Sequence, residues 1–375
     1  MTAIIHHSPM ILTLLTALLL TCCGDNREGE EKPMHFTEQL RLKTTPVKDQ
    51  GQSSLCWIYA MLATMETEHA MMGDSVNLSA DYAAANMLME RTIDRYFDNH
   101  AEEAPVPERP RKPIEQRGMM TMTPDLVRRN GLVAYDAYHT RQPVNYNALC
   151  RKLALTCRPK RGISHLKRRA GSILEQTLGY RPEHVFMLGA RYTPEEFAHS
   201  VCRKNEYMAL TSYTHHPFGQ PMTLECPDNF QHDRFLNLPI DTLMKTVEQA
   251  IENGHAVCWE GDISEPGFRW KEGVATLPPL KPGDNGQQLR QQMFERLQTT
   301  DDHCMALIGT ATDQTGKRYF IAKNSWGTDN ALEGYIYLSE DYVRLKTIAV
   351  MLSRDWKKTN RKRIKTITEK ENGND

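Results

Sequence analysis

Lys48-Asp49-Gln50-Gly51-Gln52-Ser53-Ser54-Leu55-Cys56-Trp57 is the stretch on which the interpretation of this sequence depends. It places a cysteine directly before an apolar run that favours a helix as far as Met72, with Gly73 ending it. A thiol at the start of a helix lies near the positive end of the helix dipole, which favours the thiolate. The side-chain amide of Gln50, six residues earlier, could donate a hydrogen bond to an oxyanion formed when that thiolate attacks. Cys56 is therefore a candidate nucleophile, although most free cysteines are small buried hydrophobic residues.

The composition is typical of a soluble globular protein, and the net charge does not indicate a strongly charged partner. The 375 residues are 40% hydrophobic and 25% charged, so a sizeable core is expected in one large or two ordinary domains. The formal net charge of -1 gives no overall reason to expect nucleic acid as a partner. Function must therefore come from specific sites.

The N-terminal residues are typical of an export signal. An apolar run over residues 11–20 has the length of a signal-peptide core, and Leu20-Thr21-Cys22-Cys23-Gly24 resembles a bacterial lipoprotein processing site. We expect a signal peptide over residues 1–23 with Cys23 lipidated, Cys22 being the alternative register, and a flexible tether over residues 24–42. The expected location is the bacterial cell envelope, with the lipid as membrane anchor. Since the first ten residues contain no Lys or Arg, a cleaved secretory peptide without lipid remains the alternative.

The other cysteines are not spaced as in a disulfide framework. No CxxC pair is present, so a structural zinc site is not expected, and neither is any other metal or cofactor. Cys258 and Cys304 lie in apolar surroundings that are typical of a core. Cys150 and Cys157 could pair, and the pairing of Cys202 and Cys226 stays open.

Helical patterns dominate the first part of the chain and strand patterns the last, which favours an α+β fold. A basic helical stretch over residues 146–178 is more often a solvated helix face than a binding surface. The predicted helices cover 57–72, 80–97, 123–130, 146–178, 194–202, 240–253 and 287–298. The predicted strands cover 132–135, 207–211, 223–226, 256–260, 303–309, 317–323, 335–338 and 348–352.

Two residues in the last third supply partners for the thiol. His303 opens an apolar strand, and Asn324 directly follows another. A nucleophilic thiol needs a base within hydrogen-bonding reach, and that base needs a group that orients it. A lone histidine at a strand end is usually structural.

In combination, Gln50, Cys56-Trp57, His303 and Asn324-Ser325-Trp326-Gly327 resemble the papain-like cysteine peptidases. The resemblance implies a two-lobed fold, with an N-terminal helical lobe and a C-terminal antiparallel β lobe. It also implies roles: Cys56 as nucleophile, His303 as base and acid, Asn324 orienting His303, and Trp326 shielding that contact. Gln50 and the backbone N–H of Cys56 would form the oxyanion hole.

The spacing and further motifs resemble the bleomycin hydrolase (aminopeptidase C) branch of that family. His303 lies 247 residues after Cys56, against about 130–150 in ordinary members, so a large insertion over about 99–255 is expected within a domain spanning 43–354. Similar motifs are Gly131–Tyr138, Thr211–Phe218, Cys226–Asn229 and Trp259–Phe268.

The chain also departs from that branch. Ser53-Ser54-Leu55 replaces its usual Ser-Gly-Arg, and residues 355–375 form a polar charged tail instead of the ending that binds a substrate's free amine in the branch. Aminopeptidase or endopeptidase action, and the homo-oligomer typical of the branch, are therefore both open.

The sequence thus predicts a cysteine peptidase acting on peptides through a Cys56 acyl-enzyme. The alternative is a catalytically silent papain-like protein that serves as a binding module in the envelope. Acyl transfer to a non-peptide acceptor would use the same residues. The sequence does not identify substrate-binding residues.

Overall fold

The computed structural model describes residues 34–100, 114–187, 189–278 and 285–358 of the chain. The predicted signal peptide, with Cys22 and Cys23, lies outside these residues, and so does the charged tail beyond residue 358. Among the described residues, no helix is both long and apolar enough to cross a membrane.

Helix α1 begins at the candidate nucleophile and is buried on almost all sides, as expected of a helix that is apolar around its circumference. It ends where the sequence predicts, because Gly73 adopts a left-handed conformation (φ 96°) and its N–H bonds to the Ala70 carbonyl. Within the described ranges the α-helices are α1 (Cys56–Met72), α2 (Ala80–His100), α3 (Met122–Asn130), α4 (Tyr146–Thr156), α5 (Ile163–Leu178), α6 (Pro194–Val201), α7 (Ile240–Glu252), α8 (Gly286–Glu295) and α9 (Glu340–Lys346).

The strands form one large, mainly antiparallel sheet and a separate β2–β3 hairpin. They are β1 (Phe36–Arg41), β2 (Val185–Met187), β3 (Ala190–Tyr192), β4 (Tyr207–Thr211), β5 (Pro221–Thr223), β6 (Arg234–Asn237), β7 (Val257–Gly261), β8 (Phe268–Arg269), β9 (Val274–Ala275), β10 (His303–Asp313), β11 (Arg318–Lys323), β12 (Tyr335–Ser339) and β13 (Thr347–Ser353). The order in the large sheet is β5-β6-β4-β13-β7-β10-β11-β12-β9-β8, and β1 pairs with β10. The pairs β4–β6 and β9–β12 are parallel.

The sheet separates two hydrophobic clusters. Because successive side chains of a strand point to opposite faces, Cys258 and Cys304 pack in the cluster that contains α1, whereas Trp259 and Met305 pack in the cluster that contains α7. The central strands β7 and β13 are therefore buried along their whole length. The start of α1 therefore packs against the start of β10, which places Cys56, the candidate nucleophile, near His303, the candidate base.

The structure corrects the predicted boundary of the tether. Phe36–Arg41 form strand β1, which runs antiparallel to the far half of β10, and the ring of Phe36 stacks on Tyr337 with centroids 4.1 Å apart. Leu42 is buried. The tether expected over residues 24–42 is therefore wrong from Phe36 onward, because the apolar Phe36 and Leu42 anchor an otherwise polar strand.

The predicted α+β class is confirmed, with differences in individual elements. The basic stretch 146–178 is two helices, α4 and α5. Leu132–Tyr135 does not form a regular strand: only Ala134 makes an isolated bridge, and a short 3₁₀ turn follows at Tyr135–Ala137. The strand expected at 223–226 lies slightly earlier, as β5. Strands β4, β5 and β6 of the predicted insertion extend the large sheet through β13, and of these β6 was not predicted.

Candidate active site

Cys56 occupies the first turn of α1, where the backbone N–H groups have no acceptor within the helix. The neighbouring Leu55 and Trp57 are buried in the core and fix the helix start, while Cys56 itself is only partly buried. The indole N–H of Trp57 donates to the carbonyl of Gln116 (3.0 Å), which holds this end of the helix against the following segment. The thiol is thus placed rigidly at the positive end of the helix dipole.

The loop before α1 pairs with the loop after β11. The backbone N–H of Gln50 donates to the Ser325 carbonyl (2.8 Å), and the N–H of Gly327 donates to the Lys48 carbonyl (3.1 Å). The side chain of Gln50 joins the same contact, because its Oε1 accepts from Ser325 Oγ (2.7 Å) and its Nε2 donates to the Ser53 carbonyl (2.7 Å). These bonds fix the position of Gln50 relative to the loop that carries Asn324.

His303 and Asn324 meet because β10 and β11 are antiparallel neighbours. The first residue of β10 and the residue after β11 then lie at the same edge of the sheet. His303 Nε2 lies 2.7 Å from Asn324 Oδ1. Since a carbonyl oxygen can only accept, the ring proton is on Nε2, and Nδ1 is left for the thiol. The Trp326 ring lies 4.6 Å from the His303 ring and covers it.

Two neighbours hold the pKa of the Cys56 thiol well below its usual range. The largest cause is a hydrogen bond from Cys304, the residue that follows His303 on β10; burial opposes it, and the hydrogen bond and charge of His303 lower the pKa further. The arrangement therefore favours a thiolate beside an imidazolium, which is the reactive form of a catalytic cysteine.

A buried glutamate on α1 ties the two loops to the helix. Glu66 is fully buried and accepts a hydrogen bond from Lys48, and Lys323 Nζ lies 3.9 Å from its carboxylate. Burial lowers the pKa of Lys323 to about 8, and the charge of Glu66 opposes that shift. Because Lys48 and Lys323 directly precede the segments that carry Gln50 and Asn324, this ion-pair cluster helps to position both amides.

A cavity of about 540 Å³ opens at the thiol. Gln50, Cys56 and His303 line it, and Asn324 lies directly behind His303. The structure therefore brings together the four residues predicted from separate segments. The remaining lining residues are Gly51, Gln52, Ser53, Ser54, Trp57, Arg117, Gly118, Asp228, Glu260, Ile263, Asp301, Asp302, Cys304 and Trp326.

Three residues of this site were not predicted from the sequence. Cys304 is buried, as expected of a core residue, but it also contacts the nucleophile. Glu260 ends the apolar run of β7, and Asp301 lies two residues before His303; both line the cavity. A glutamate within an apolar strand was a signal that could have identified Glu260, because a buried charge needs a partner or a function.

The described cysteines are all free, so the considered pairing of Cys150 with Cys157 is wrong. Cys157 caps the end of α4 and its thiol donates to the Thr92 carbonyl (3.4 Å). The partner of the Cys157 thiol in this fold is therefore a backbone carbonyl and not Cys150.

One group of described residues has the composition of a metal site: His215, His216 and Glu225. The Nε2 atoms of both histidines lie within hydrogen-bonding distance of the Glu225 carboxylate, at 3.0 and 2.7 Å. However, Gln291 Nε2 faces His215 Nδ1 at 2.9 Å, while its Oε1 accepts from the Thr214 N–H. Nδ1 must then accept, so Nε2 carries a proton and donates to Glu225. This favours a hydrogen-bonded cluster over metal ligation.

Comparison with known proteins places the chain in the class of cysteine peptidases. Residues 178–371 match the family described as "Peptidase C1-like family", and because they make up 194 of the 375 residues, the chain belongs to this family. The matched region includes His303 and Asn324. The recognised papain-like resemblance, in the bleomycin hydrolase or aminopeptidase C branch, is thereby confirmed.

One relative and one solved structure cover most of the chain, and a second relative covers part of it. "Cysteine proteinase 1, mitochondrial" from Saccharomyces cerevisiae (strain JAY291) is 24% identical over 369 residues, which is 82% of this chain and 74% of the relative. "Aminopeptidase E" from Lactobacillus helveticus is 26% identical over 160 residues, 40% of this chain and 36% of the relative. The crystal structure of PepW from Lactobacillus rhamnosis HN001 superposes with a TM-score of 0.63 at 19% identity, covering 90% of this chain and 86% of PepW. It shows the same fold.

Proposed function

We propose that this cysteine peptidase hydrolyses peptide bonds through a thioester on Cys56. The observation that carries the proposal is the continuous series of contacts from the Cys56 thiol to His303 and from His303 Nε2 to Asn324 Oδ1 (2.7 Å). Membership of the Peptidase C1-like family supports the class of reaction.

In the first half-reaction the Cys56 thiolate attacks the carbonyl carbon of the scissile bond. The charge moves to the carbonyl oxygen, which the backbone N–H of Cys56 and the side-chain N–H of Gln50 would stabilise. A primary amide carries two N–H groups, and one of them donates to the Ser53 carbonyl, so the other can serve the oxyanion. The imidazolium of His303 then gives its Nδ1 proton to the leaving amine, and the C–N bond breaks.

In the second half-reaction His303 Nδ1 takes a proton from water, and the resulting hydroxide attacks the thioester. The C–S bond breaks, the carboxylic acid product leaves, and the thiolate is regenerated with its imidazolium partner. Asn324 keeps the ring in the orientation that points Nδ1 at the sulfur throughout, and Trp326 limits the access of water to the hydrogen bond between His303 and Asn324.

The test is hydrolysis of fluorogenic peptide amides by wild type and by two matched cysteine variants. Cys56→Ala should abolish turnover, since loss of one member of a catalytic unit costs nearly as much as loss of all. Cys226→Ala is the control, because Cys226 is also partly exposed but burial raises the pKa of its thiol. Full activity of Cys56→Ala with a native fold would refute the assignment, and inactivity of wild type towards every peptide would favour a silent binding protein.

Free and N-acetylated versions of each peptide distinguish the mode of cleavage. Relatives named as aminopeptidases support a requirement for a free amine. Preference for the free amine would establish an aminopeptidase, and equal rates would establish an endopeptidase. Transfer of the acyl group to added amines or alcohols, measured in the same assay by mass spectrometry, would reveal an acyltransferase.

For the cellular location, we propose export to the cell envelope with lipid on Cys23. The proposal is supported by the apolar run over residues 11–20 and the Cys22-Cys23-Gly24 sequence. Metabolic labelling with a palmitate analogue should mark wild type and Cys22→Ser but not Cys23→Ser. Labelling of neither wild type nor Cys22→Ser would contradict lipidation, and labelling of wild type and Cys23→Ser but not of Cys22→Ser would move the site to Cys22.

A further inference from the structure

Two buried carboxyl groups border the cavity at the thiol. Glu260 is on β7 directly opposite Cys304 of β10, so its side chain emerges on the face of the sheet that packs against α1. Asp301 lies just before β10. Both residues line the cavity, and their exposed fractions are only 1% and 9%.

Apart from each other, these carboxyl groups have no cationic or hydrogen-bond-donating partner in the described part of the chain. No N–H or hydroxyl group reaches Glu260 Oε2 or Asp301 Oδ2. The two side chains hydrogen bond to each other through a shared proton. Burial is the largest cause that raises the pKa of Glu260 well above its usual range, and the charge of Asp301 is the next. Burial is also the main cause that raises the pKa of Asp301, to about 7. A buried carboxyl pair held in this way is unfavourable in the absence of a ligand.

Nearby charges do not compensate the pair. Arg117 is the one guanidinium among the described lining residues, and it donates from Nε to the carboxylate of Asp228 (3.0 Å). Its contact with Asp301 is to the backbone carbonyl (3.4 Å) and not to the carboxyl group. Asp302 already accepts from Thr300 Oγ1 (2.8 Å). Besides the imidazolium of His303, which faces the thiolate, the described lining therefore has four carboxyl groups and one guanidinium, and the cavity favours a cation.

We propose that Glu260 and Asp301 bind a cationic group of the substrate, either its free α-ammonium or the side chain of a lysine or arginine. The inference rests on the proposed function, because it places that cation beside the carbonyl that Cys56 attacks. A bound cation takes the place of the shared proton, which leaves to solvent, and its N–H groups donate to both ionised carboxylates. An ammonium supplies three such donors and a guanidinium five, enough to satisfy the two orphaned oxygens.

Fluorogenic dipeptide amides of four kinds separate the two sources of the cation. The first has a free α-amine and neutral side chains, and the second is its acetylated form. The third is acetylated and carries arginine, which is placed in turn at each of the two positions of the dipeptide. The fourth replaces that arginine by citrulline, which has nearly the same shape without the charge. We expect kcat/KM to be about 10- to 100-fold higher for the cationic member of at least one pair, the magnitude typical of a charged hydrogen bond. Ratios near one for both pairs would overturn the proposal.

Neutral variants of the pair test whether these two residues cause the discrimination. Glu260→Gln and Asp301→Asn keep the shape of each side chain and should reduce the favoured ratio towards one. Glu252→Gln makes the same chemical change on the exposed face of α7 and should leave the ratio unchanged. A ratio that persists in both pocket variants would overturn the assignment even if wild type discriminates.

A binding measurement distinguishes failure of this inference from failure of the proposed peptidase mechanism. Calorimetric titration of the Cys56→Ala variant with the amides of acetyl-arginine, acetyl-citrulline, leucine and acetyl-leucine needs no turnover. Tighter binding of at least one cationic amide than of its neutral match supports the pocket, whether or not wild type cleaves peptides. Equal binding within both pairs refutes it, and peptide hydrolysis by wild type would then leave the proposed mechanism standing.

Discussion

The variant Asn324→Ala tests the hydrogen bond that orients the base. His303 Nε2 and Asn324 Oδ1 are 2.7 Å apart, and in the reactive state this bond joins an imidazolium to an amide. A hydrogen bond to a charged group contributes about 1.5–3 kcal/mol. At about 1.36 kcal/mol per tenfold change in rate, its loss should lower kcat/KM by about 10- to 150-fold.

The size of this effect should be smaller than that of removing the base itself. In His303→Ala, proton transfer is lost, which alone contributes about 10²- to 10⁴-fold, and the thiolate loses its positively charged partner. We therefore expect activity in the order wild type, Asn324→Ala, His303→Ala, measured as kcat/KM on one peptide amide under matched conditions.

The matched control is Asn324→Asp. Asn324 Nδ2 has no hydrogen-bond partner among the described residues, so exchanging the amide for a carboxylate loses no such bond and keeps the acceptor for His303. We expect Asn324→Asp to be more active than Asn324→Ala. The reasoning is refuted if Asn324→Ala retains wild-type kcat/KM, if it falls below His303→Ala, or if Asn324→Asp loses as much as Asn324→Ala.

Two further predictions concern the thiol and the loops around it. Removing the Cys304 hydrogen bond in Cys304→Ala should raise the pKa of Cys56, so the acid limb of the pH profile of kcat/KM should move to higher pH. Cys258→Ala, on the same face of the sheet, is the control. Equal shifts in the two variants would contradict the role given to Cys304. Glu66→Ala removes the carboxylate that faces the buried Lys323 and the partly buried Lys48, and it should lower the free energy of unfolding by about 3–5 kcal/mol in denaturant titrations. Glu252→Ala, on an exposed helix face, should change it by no more than about 0.5 kcal/mol, and a comparable loss there would refute the role of Glu66.

The parts of the fold that were predictable depend on local signals. Helix α1 was predicted because its apolar run ends at a glycine that can adopt positive φ, and the structure places its boundaries within one residue of the prediction. Strands β7, β10, β11, β12 and β13 were predicted from short apolar runs, and all are present. Strand β1 was not, because its sequence Phe-Thr-Glu-Gln-Leu-Arg is mainly polar and is fixed by distant contacts, which are the pairing with β10 and the stacking of Phe36 on Tyr337.

The candidate catalytic residues could be predicted from the sequence, whereas the contacts of the residues around them could not. Gln50, Cys56, His303 and Asn324 stand in recognisable motifs, so resemblance located them before any contact was known. The meeting of Glu260 with Asp301 depends on the register between β7 and β10, which no local pattern specifies. The hydrogen bond from Cys304 likewise depends on how α1 packs on β10.

Covalent trapping tests the central claim, that Cys56 is the activated nucleophile, most directly. The wild-type protein is incubated with an epoxysuccinyl inhibitor of cysteine peptidases, digested, and mapped by mass spectrometry. We predict one inhibitor adduct, on the peptide that contains Cys56, formed much more slowly in His303→Ala because the thiolate loses its partner. An unmodified Cys56, or an adduct on Cys226 in its place, would contradict the account.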